Sequence, residues 1–314
     1  MKASPKVFIA TTSFGKVSND PIEILEKNNI SYDMNTLGRK LEDGEVANAL
    51  QHYDAVIAGT ENYTREVLQQ LPNLKVISRL GVGMDNIDLD FAKEAKLTVS
   101  KCNTTPAIAV AELALSMFLI ISRNLYIMNA SIREGKWDKL MGNLISGKTL
   151  GVIGLGQIGR RLVEITKGFG LDYLAFDVLQ DQEFSNKHNV KYTSLDNLLA
   201  NSDLISIHLN SSPKNRNLID LNKLKKMKKK PILVNTSRGE VIDEESLQTA
   251  LTENIISGAG LDVFKKEPYN GSLIEFENVF ATPHIGSYAS EIRNQMEIEV
   301  VENLIRGVNN AQQK

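Results

Sequence analysis

The sequence has little that could cross-link it or hold it in a membrane. Its 314 residues include one cysteine, Cys102, which excludes an intramolecular disulfide and is typical of a reducing compartment. No apolar run reaches the roughly 20 residues needed to span a bilayer, because the longest, Leu113–Ile121, is interrupted by Ser116. Met1–Lys6 lacks the layout of a signal peptide, since only the short apolar run Val7–Ala10 follows. We therefore expect a cytoplasmic protein with no membrane partner.

The chain also lacks an excess of charge of either sign. It contains 36 Lys and Arg residues against 38 Asp and Glu residues, for a net charge of −2. Proteins that coat nucleic acid are usually basic, so no nucleic-acid partner is expected, and the lysine-rich Lys223–Lys230 is interpreted as a solvated helix. The apolar fraction of 42% is ordinary for a globular protein. The length allows two domains of about 150 residues.

Short apolar runs alternate with helical stretches along the first hundred residues. Asp20 is suited to the N-cap of one such helix and Pro21 to its first turn. Four runs rich in Val and Ile are predicted to be buried parallel strands: Lys6–Ala10, Ala55–Gly59, Lys75–Leu80 and Leu97–Ser100. This alternation predicts a doubly wound α/β unit.

A second α/β series begins at Thr149, after a long apolar segment. That segment, from Pro106 to about Arg133, is predicted to be one helix. It is apolar on more than one face, so it must be buried on several sides, within the chain or against a partner. The closing stretch, Ser290–Val308, is predicted to be an amphipathic helix. The candidate strands of the second series are Thr149–Ile153, Leu171–Phe176, Asp203–Leu209, Ile232–Asn235, Gly258–Leu261 and Val279–Ala281.

The motif Gly154-Leu-Gly156-Gln-Ile-Gly159 follows the first strand of this series. Gly154 permits a tight turn, Gly156 lets the backbone approach a pyrophosphate, and Gly159 lets the next helix pack close to the strand. A glycine-rich turn without a ligand is the alternative. The next strand, however, ends at Asp177, where a carboxylate can accept hydrogen bonds from ribose hydroxyls. The Asp177 carboxylate would repel a 2′-phosphate, and no cation that could bind one follows directly. This combination favours NAD over NADP.

Polar side chains follow three later strands of the series. Arg238, Asp262 and His284 each come just after a candidate strand, and Glu267 lies shortly beyond Asp262. Ligands of parallel sheets bind at the carboxyl ends of strands, so these residues are expected in one crevice with the glycine-rich turn. An Arg can bind a carboxylate, a His can exchange a proton, and a Glu can support that His. Taken singly, each could be a surface or turn residue. No metal site is predicted.

These motifs together resemble the D-isomer-specific 2-hydroxyacid dehydrogenases, most closely their phosphoglycerate dehydrogenase-like branch. The resemblance covers nearly the whole chain. It rests on Arg79-Leu-Gly81-Val-Gly83-Met-Asp85-Asn86-Ile87-Asp88, the glycine-rich turn with Asp177, Asn235-Thr-Ser-Arg238-Gly239, Asp262 with Glu267, and Pro283-His284-Ile-Gly286. It implies two doubly wound parallel-sheet domains: a discontinuous, flavodoxin-like substrate domain (1–101 and 286–314) and a Rossmann NAD-binding domain (102–285).

The resemblance also implies roles for individual residues. Arg238, Glu267 and His284 are the expected catalytic residues, and Asp262 is expected to hold the nicotinamide carboxamide. The apolar segment after Pro106 matches the family's dimer-forming helix, so a homodimer is expected. His208-Leu-Asn210-Ser-Ser212 replaces the family's frequent His-x-Pro-x-Thr, which leaves the adenosine contacts there open. The expected cofactor contacts are Gly154, Gly156, Gln157, Ile158, Gly159, Asp177, Thr236, Ser237, Arg238 and Asp262.

The expected activity is hydride transfer between the nicotinamide of NAD and C2 of a small D-2-hydroxy acid. Backbone amides around Val82 and Gly83 would complete the site for the substrate carboxylate. D-3-Phosphoglycerate, oxidised in the first committed step towards serine, is the expected substrate, because Arg79 could pair with a phosphate. The loop Ala58–Asn62 carries Glu61 where such enzymes often have another basic residue, so hydroxypyruvate or glyoxylate reduction is the alternative.

A different class of function is also open. A Rossmann protein can sense the NAD/NADH ratio and pass it to a partner, as corepressor relatives in this superfamily do. The intact set of Arg238, Glu267 and His284 favours an enzyme, although the corepressors carry such a set as well.

Overall fold

The computed structural model describes residues 5–313, which form two compact units. One unit contains the described residues up to Thr105 together with those from Tyr288 onward, and the other is Pro106–Ser287. The first unit is discontinuous, because the chain returns to it at its end. The boundaries expected between the two domains lie within a few residues of the two junctions between the units, at Thr105/Pro106 and Ser287/Tyr288.

The first unit is built on a five-stranded parallel sheet. Its strands are β1 (Lys6–Ile9), β2 (Ser31–Met34), β3 (Ala55–Ala58), β4 (Val76–Arg79) and β5 (Thr98–Lys101). They lie in the order β2-β1-β3-β4-β5 with parallel neighbours throughout, which is the flavodoxin-like arrangement. Strands β3 and β4 are buried along their whole length, as expected where helices cover both faces of a sheet.

A long C-terminal helix packs on this sheet. Its Met296, Val300 and Leu304 share a core cluster with Val7 of β1. The Ser78 hydroxyl in β4 donates to the Val300 carbonyl at 2.7 Å, which satisfies a polar group inside that core. The helices of this unit are α1 (Asp20–Lys27), α2 (Asp43–Leu50), α3 (Arg65–Gln69), α4 (Leu89–Glu94) and the C-terminal helix (Ser290–Gln313).

The second unit contains a seven-stranded parallel sheet. Its strands are β6 (Thr149–Ile153), β7 (Asp172–Phe176), β8 (Val190–Tyr192), β9 (Leu204–Ile207), β10 (Ile232–Asn235), β11 (Gly258–Leu261) and β12 (Val279–Ala281). Their order is β12-β11-β10-β9-β6-β7-β8, so the strand order reverses between β6 and β9. Ligands of open α/β sheets bind beyond the carboxyl ends of the strands at such a reversal. The predicted fold, a flavodoxin-like and a Rossmann sheet, is confirmed.

Seven α-helices are described in the second unit, with short 3₁₀ turns at Lys167–Phe169, Gly239–Val241 and Ser272–Glu275. They are α5 (Ala107–Ser122), α6 (Leu125–Arg133), α7 (Gln157–Ile165), α8 (Gln182–His188), α9 (Leu195–Asn201), α10 (Leu221–Leu224) and α11 (Glu244–Thr252).

The prediction of one continuous helix from Pro106 to about Arg133 is wrong. The segment is divided into α5 and α6, which are bent by 66° relative to each other. At the break, Asn124 takes a left-handed conformation with φ of 51°. The Ser122 carbonyl accepts a hydrogen bond from the Asn143 amide at 2.7 Å, so the later loop satisfies a backbone group released by the bend.

The apolar faces of helix α5 are explained by its packing inside the second unit. Ala114, Met117 and Phe118 are buried, and a Cβ added at Gly260 of β11 would lie 2.9 Å from Met117 Cβ. The helix and the sheet therefore approach as closely as a glycine allows. Among residues 5–313, no single helix is long and apolar enough to cross a membrane, and the bent pair α5–α6 meets that test by length and composition only.

Candidate active site

The glycine-rich turn joins β6 to α7 at the strand reversal. Gly154 has φ of 93°, and a Cβ there would lie 2.5 Å from the His208 carbonyl oxygen. A Cβ at Gly159 would lie 2.5 Å from the Gly154 carbonyl oxygen, so a side chain would push α7 away from β6. Gly156, in contrast, faces open space. The start of α7 therefore has room for an anion at its free amides, and the turn fits the pyrophosphate of NAD.

Asp177 follows β7 and is held beside this turn. Its Oδ2 accepts a hydrogen bond from the Leu155 amide at 2.7 Å, and its Oδ1 accepts one from the Leu179 amide at 2.9 Å. Each carboxylate oxygen retains a second lone pair, so the half-buried group can also accept hydrogen bonds from a diol such as a ribose. Gln157 and Ile158 form the first turn of α7.

Arg160 is a residue of this region that sequence reasoning missed. Its Nε donates to the Leu155 carbonyl at 3.0 Å, and its Nη1 lies 2.6 Å from Asp181 Oδ2. Arg160 thus ties the glycine-rich turn to the loop after β7. Its charge is paired with Asp181, which supports the expectation that no cation attracts a 2′-phosphate here. The feature of the sequence that could have indicated this role is the position of Arg160, a basic residue directly after the third glycine of the motif.

The segment after β10 forms a tight, buried turn. Asn235 Oδ1 accepts from the Ser237 amide at 3.0 Å and from the Ser237 hydroxyl at 2.7 Å, and Asn235 Nδ2 donates to the Arg238 carbonyl at 2.9 Å. The side chain of Thr236 is buried in the same turn. A Cβ at Gly239 would lie 1.9 Å from the Phe264 carbonyl carbon. Glycine therefore allows the Arg238 backbone to lie against the segment that leads to Glu267.

His284 and Glu267 form the central pair of the site. The His284 Nδ1 lies 2.8 Å from Glu267 Oε2, and Glu267 Oε1 accepts from the Phe264 amide at 3.1 Å. His284 follows β12 with φ of 55°, a conformation that is uncommon outside glycine and that is concentrated at functional sites. With Nδ1 engaged by the carboxylate, Nε2 is the ring nitrogen that can exchange a proton with a substrate.

Asp262 anchors the chain on either side of His284, through a side chain before it and two backbone amides after it. Its Oδ1 accepts from the Thr282 hydroxyl at 2.6 Å and from the Ile285 amide at 2.7 Å, and its Oδ2 accepts from the Gly286 amide at 2.9 Å. Burial raises the pKa of the Asp262 carboxyl, and these hydrogen bonds oppose that shift. Sequence reasoning gave Thr282 no role, because its partner is evident only when β11 and β12 lie side by side.

His208 lies beside the glycine-rich turn and does not have the properties of an acid catalyst. Its Nε2 is 2.9 Å from Ser206 Oγ, and its Nδ1 is 3.5 Å from Thr236 Oγ1. Burial lowers the pKa of His208 to about 3, so the ring is neutral at physiological pH. It links β9 to the turn that carries Thr236 and Ser237.

The remaining predicted residues belong to the first unit. Arg79 at the end of β4 is buried, its Nε donates to Asn86 Oδ1 at 3.3 Å, and its Nη1 donates to the Leu80 carbonyl. Its guanidinium therefore contacts its own loop, and its place at the mouth of the substrate crevice stays a prediction. In the same loop, the side chain of Val82 is exposed, and Gly83 is half-buried.

The structure thus brings most of the predicted site residues together at the carboxyl edge of the second sheet. Glu267 and His284 bond each other, and Asp262 bonds the backbone next to His284. Asp177 bonds the glycine-rich turn. A hydrogen-bonded acid–base pair at the same sheet edge as a dinucleotide-type turn is suited to moving a proton as a cofactor takes up or releases a hydride.

Comparison with known proteins identifies the family. The model described as "D-isomer specific 2-hydroxyacid dehydrogenase, NAD binding domain" matches residues 115–286. The chain belongs to this family. The resemblance predicted from the motifs is confirmed. NAD is confirmed as the cofactor. The chain is placed among NAD-dependent oxidoreductases of small 2-hydroxy and 2-keto acids.

Individual relatives differ in the activities for which they are named. The chain is 35% identical over 281 residues to a hydroxypyruvate reductase of Thermotoga maritima, covering 87% of this chain and 91% of that protein. It is 37% identical over 268 residues to a D-3-phosphoglycerate dehydrogenase of Synechocystis, covering 84% of this chain. The match covers 48% of that relative, so the chain spans about half of its length. A D-lactate dehydrogenase structure from Escherichia coli matches with a TM-score of 0.83 at 28% identity, covering 95% of each chain.

Proposed function

We propose that this protein transfers a hydride between the nicotinamide of NAD and C2 of a small D-2-hydroxy acid. The observation that carries the proposal is the 2.8 Å contact between His284 Nδ1 and Glu267 Oε2, at the edge of a sheet with an NAD-type turn. Of the two compact units, the first would bind the substrate and the second NAD. The proposed domain ranges are 1–101 with 286–314 for the substrate domain and 102–285 for the NAD-binding domain.

His284 would handle the proton of the reaction. In the reductive direction, the imidazolium Nε2 donates a proton to the carbonyl oxygen, which becomes the product hydroxyl; in the oxidative direction, the neutral ring takes that proton back. Glu267 stabilises the charged ring through Nδ1 and fixes its orientation. Bound NAD supplies the hydride acceptor, and NADH the hydride.

Other predicted residues would bind and orient the reactants. Arg238 is proposed to grip the substrate carboxylate and to polarise the carbonyl, with the amides around Val82 and Gly83 completing the anion site. Asp262 is proposed to hold the nicotinamide carboxamide with its remaining lone pair while it anchors the His284 backbone. The proposed cofactor contacts are otherwise Gly154, Gly156, Gln157, Ile158, Gly159, Asp177, Thr236, Ser237 and Arg238.

Two substrate assignments follow from different observations. D-3-Phosphoglycerate, and with it a role in serine biosynthesis, is supported by the overall resemblance and by Arg79 at a strand end. Reduction of hydroxypyruvate or glyoxylate is supported by the buried Glu61 in the neighbouring loop. It is also supported by the match to a hydroxypyruvate reductase over most of that protein's length.

A homodimer is proposed from an exposed apolar surface on α6 and the loop that follows it. Trp137 is 79% exposed and Met141 94% exposed, and Ile132 and Leu144 are exposed beside them in sequence. Concentrated apolar side chains on a surface mark a contact with another protein, and this segment adjoins the predicted dimer helix. The single cysteine, typical of a reducing compartment, supports a proposed cytoplasmic location.

Turnover of 2-keto acids tests the proposed function. Purified protein is mixed with NADH or NADPH and with hydroxypyruvate, glyoxylate, pyruvate or 3-phosphohydroxypyruvate, and loss of the reduced nicotinamide is followed by absorbance. We expect NADH-dependent turnover of at least one acid. NADH binding with no turnover of any of them would favour a sensor of the NAD/NADH ratio instead.

A further inference from the structure

The loop after β3 contains a buried carboxylate to which the proposed reaction assigns no role. Glu61 is 2% exposed, although glutamate is rarely buried unless its charge is compensated. The loop follows β3 directly, and β1 and β3 flank the point where the strand order of the first sheet reverses. In flavodoxin-like sheets this reversal is where a ligand binds.

The Glu61 carboxylate is folded back on its own loop. Its Oε2 accepts a hydrogen bond from the Gly59 amide at 2.8 Å. A Cβ at residue 59 would lie 2.8 Å from that oxygen and 2.9 Å from Thr11 Cγ2, so the arrangement requires glycine. The position of the buried charge is therefore specified by the sequence of the loop.

Asn86 joins this loop to Arg79. Asn86 Nδ2 donates to the Gly59 carbonyl at 3.1 Å and to the Glu61 carbonyl at 2.6 Å. Asn86 Oδ1 accepts from Arg79 Nε at 3.3 Å. The side-chain amide of Asn86 thus links Glu61 and Arg79, which carry opposite charges, in a single polar network at the ends of β3 and β4.

The charges in this network act on one another. Burial raises the pKa of Glu61, and the hydrogen bond from the Gly59 amide and the positive charges of Arg79 and Lys40 oppose that shift. Tyr63 is fully buried, and its hydroxyl lies close enough to Glu61 and Arg79 for the charge of each to act on its pKa. An ionised Glu61 carboxylate would offset part of the positive charge of Arg79.

We propose that Glu61 sets the substrate class of the proposed dehydrogenase, by offsetting the charge of Arg79 and so disfavouring 2-keto acids that carry a phosphate. The inference rests on the proposed function and makes unphosphorylated acids such as hydroxypyruvate the preferred substrates. Glu61 is a positioning residue, because it acts through Arg79 and need not touch the substrate.

The test compares Glu61→Gln with the unmodified enzyme. Gln retains an oxygen for the Gly59 amide and removes only the charge. Glu66→Gln is the matched control, because it removes the same charge from an exposed position on α3 in the same unit. The measurement is kcat/KM with NADH for hydroxypyruvate and for 3-phosphohydroxypyruvate, with the affinity for NADH and the thermal midpoint of each variant measured alongside.

The unmodified enzyme is expected to prefer hydroxypyruvate. Glu61→Gln should raise the ratio of 3-phosphohydroxypyruvate to hydroxypyruvate efficiency about tenfold, the effect of removing one nearby unit charge. Glu66→Gln should leave that ratio unchanged. A folded Glu61→Gln protein with an unchanged ratio, or an unmodified enzyme that prefers the phosphorylated acid, would overturn the proposal.

A second measurement needs no variant at Glu61. If the unmodified enzyme disfavours phosphate, 3-phosphoglycerate should inhibit hydroxypyruvate reduction only at concentrations far above the KM for hydroxypyruvate. Competitive inhibition below that KM would contradict the proposal even if Glu61→Gln failed to fold. Absence of turnover with hydroxypyruvate, glyoxylate, pyruvate and 3-phosphohydroxypyruvate alike would instead contradict the proposed function, so the two failures are distinguishable.

Discussion

At the scale of single residues, the site depends on how side chains are held as much as on which residues are present. His284 is fixed from two directions: Glu267 bonds the ring, and Asp262 bonds the backbone amides of the two residues that follow it. A histidine constrained in this way loses little orientational freedom when a substrate binds, which is the basis of preorganised catalysis.

Glu267→Gln tests the support that the carboxylate gives to the ring. The variant removes the negative charge beside Nδ1, so the protonated ring is less stabilised and the reductive reaction should lose activity at a lower pH than in the unmodified enzyme. The measurement is the pH dependence of kcat/KM for keto-acid reduction. An identical profile in the variant would mean that Glu267 serves the structure alone.

Cys102 provides a test of burial at a residue outside the site. Burial raises its pKa from 9.0 to about 11, so the thiolate that reacts with alkylating agents is scarce at pH 8. The native protein should react with iodoacetamide roughly a hundredfold more slowly than an exposed thiol, since each pKa unit removes about tenfold of the thiolate. Mass spectrometry before and after unfolding measures this, and equal rates in the two states would contradict the buried placement.

At the scale of elements, we propose that the turn between β6 and α7 and the loop after β7 together define the cofactor preference. Asp177 is bonded to the turn, and Arg160 is paired with Asp181. Neither arrangement offers a free cation to a 2′-phosphate, so we expect selectivity for NAD over NADP to come from the fixed carboxylate of Asp177 and the paired guanidinium of Arg160.

Replacing Asp177 should relax this preference. Asp177→Ala combined with Val178→Arg removes the repulsive charge and adds a cation, so the ratio of NADPH to NADH efficiency should rise about tenfold or more. Val178→Arg alone is the control and should give a smaller change, because the carboxylate remains. The unmodified protein should use NADH well and NADPH poorly; equal use of both cofactors by that protein would refute the role of Asp177.

Elements with apolar runs could be predicted from the sequence, including the edge strands β5 and β12, whereas the edge strands β2 and β8 could not. Strand β2 (Ser31–Met34) alternates exposed and half-buried residues, and β8 (Val190–Tyr192) has only three residues. Both lie at a sheet edge, where one side is not paired and a continuous apolar run is not required. The break between α5 and α6 was missed for a related reason, because Asn124 interrupts a pattern that is apolar on both sides of it.

The same distinction applies to the candidate site. Asp177, Arg238 and His284 could be placed from their positions after apolar strands, because parallel strands bring their carboxyl ends to one edge. Arg160, Thr282 and similar residues act through partners that are distant in sequence, and only the folded sheet brings those partners close. The buried position of Arg79 was not predictable, since it depends on a bond to Asn86 within a loop.

At the scale of the whole molecule, the proposed assembly can be tested directly. The protein should sediment as a dimer of its 34.8 kDa chain. Met141→Glu places a charge in the exposed apolar surface and should shift the equilibrium to monomer, because an unpaired charge is costly in an apolar interface. Leu37→Glu, at an exposed leucine of the other unit, is the control and should leave the dimer intact. A monomeric unmodified protein would contradict the assembly.

The central claim is that His284 exchanges the proton while NAD carries the hydride. The most direct measurement is kcat for reduction of the best keto-acid substrate by His284→Ala, with the affinity for NADH measured by fluorescence in the same samples. Positioned acid–base groups contribute about 10²–10⁴-fold, so kcat should fall by that factor while NADH binds as it does to the unmodified enzyme. A His284→Ala protein that binds NADH normally and retains full kcat would contradict the account.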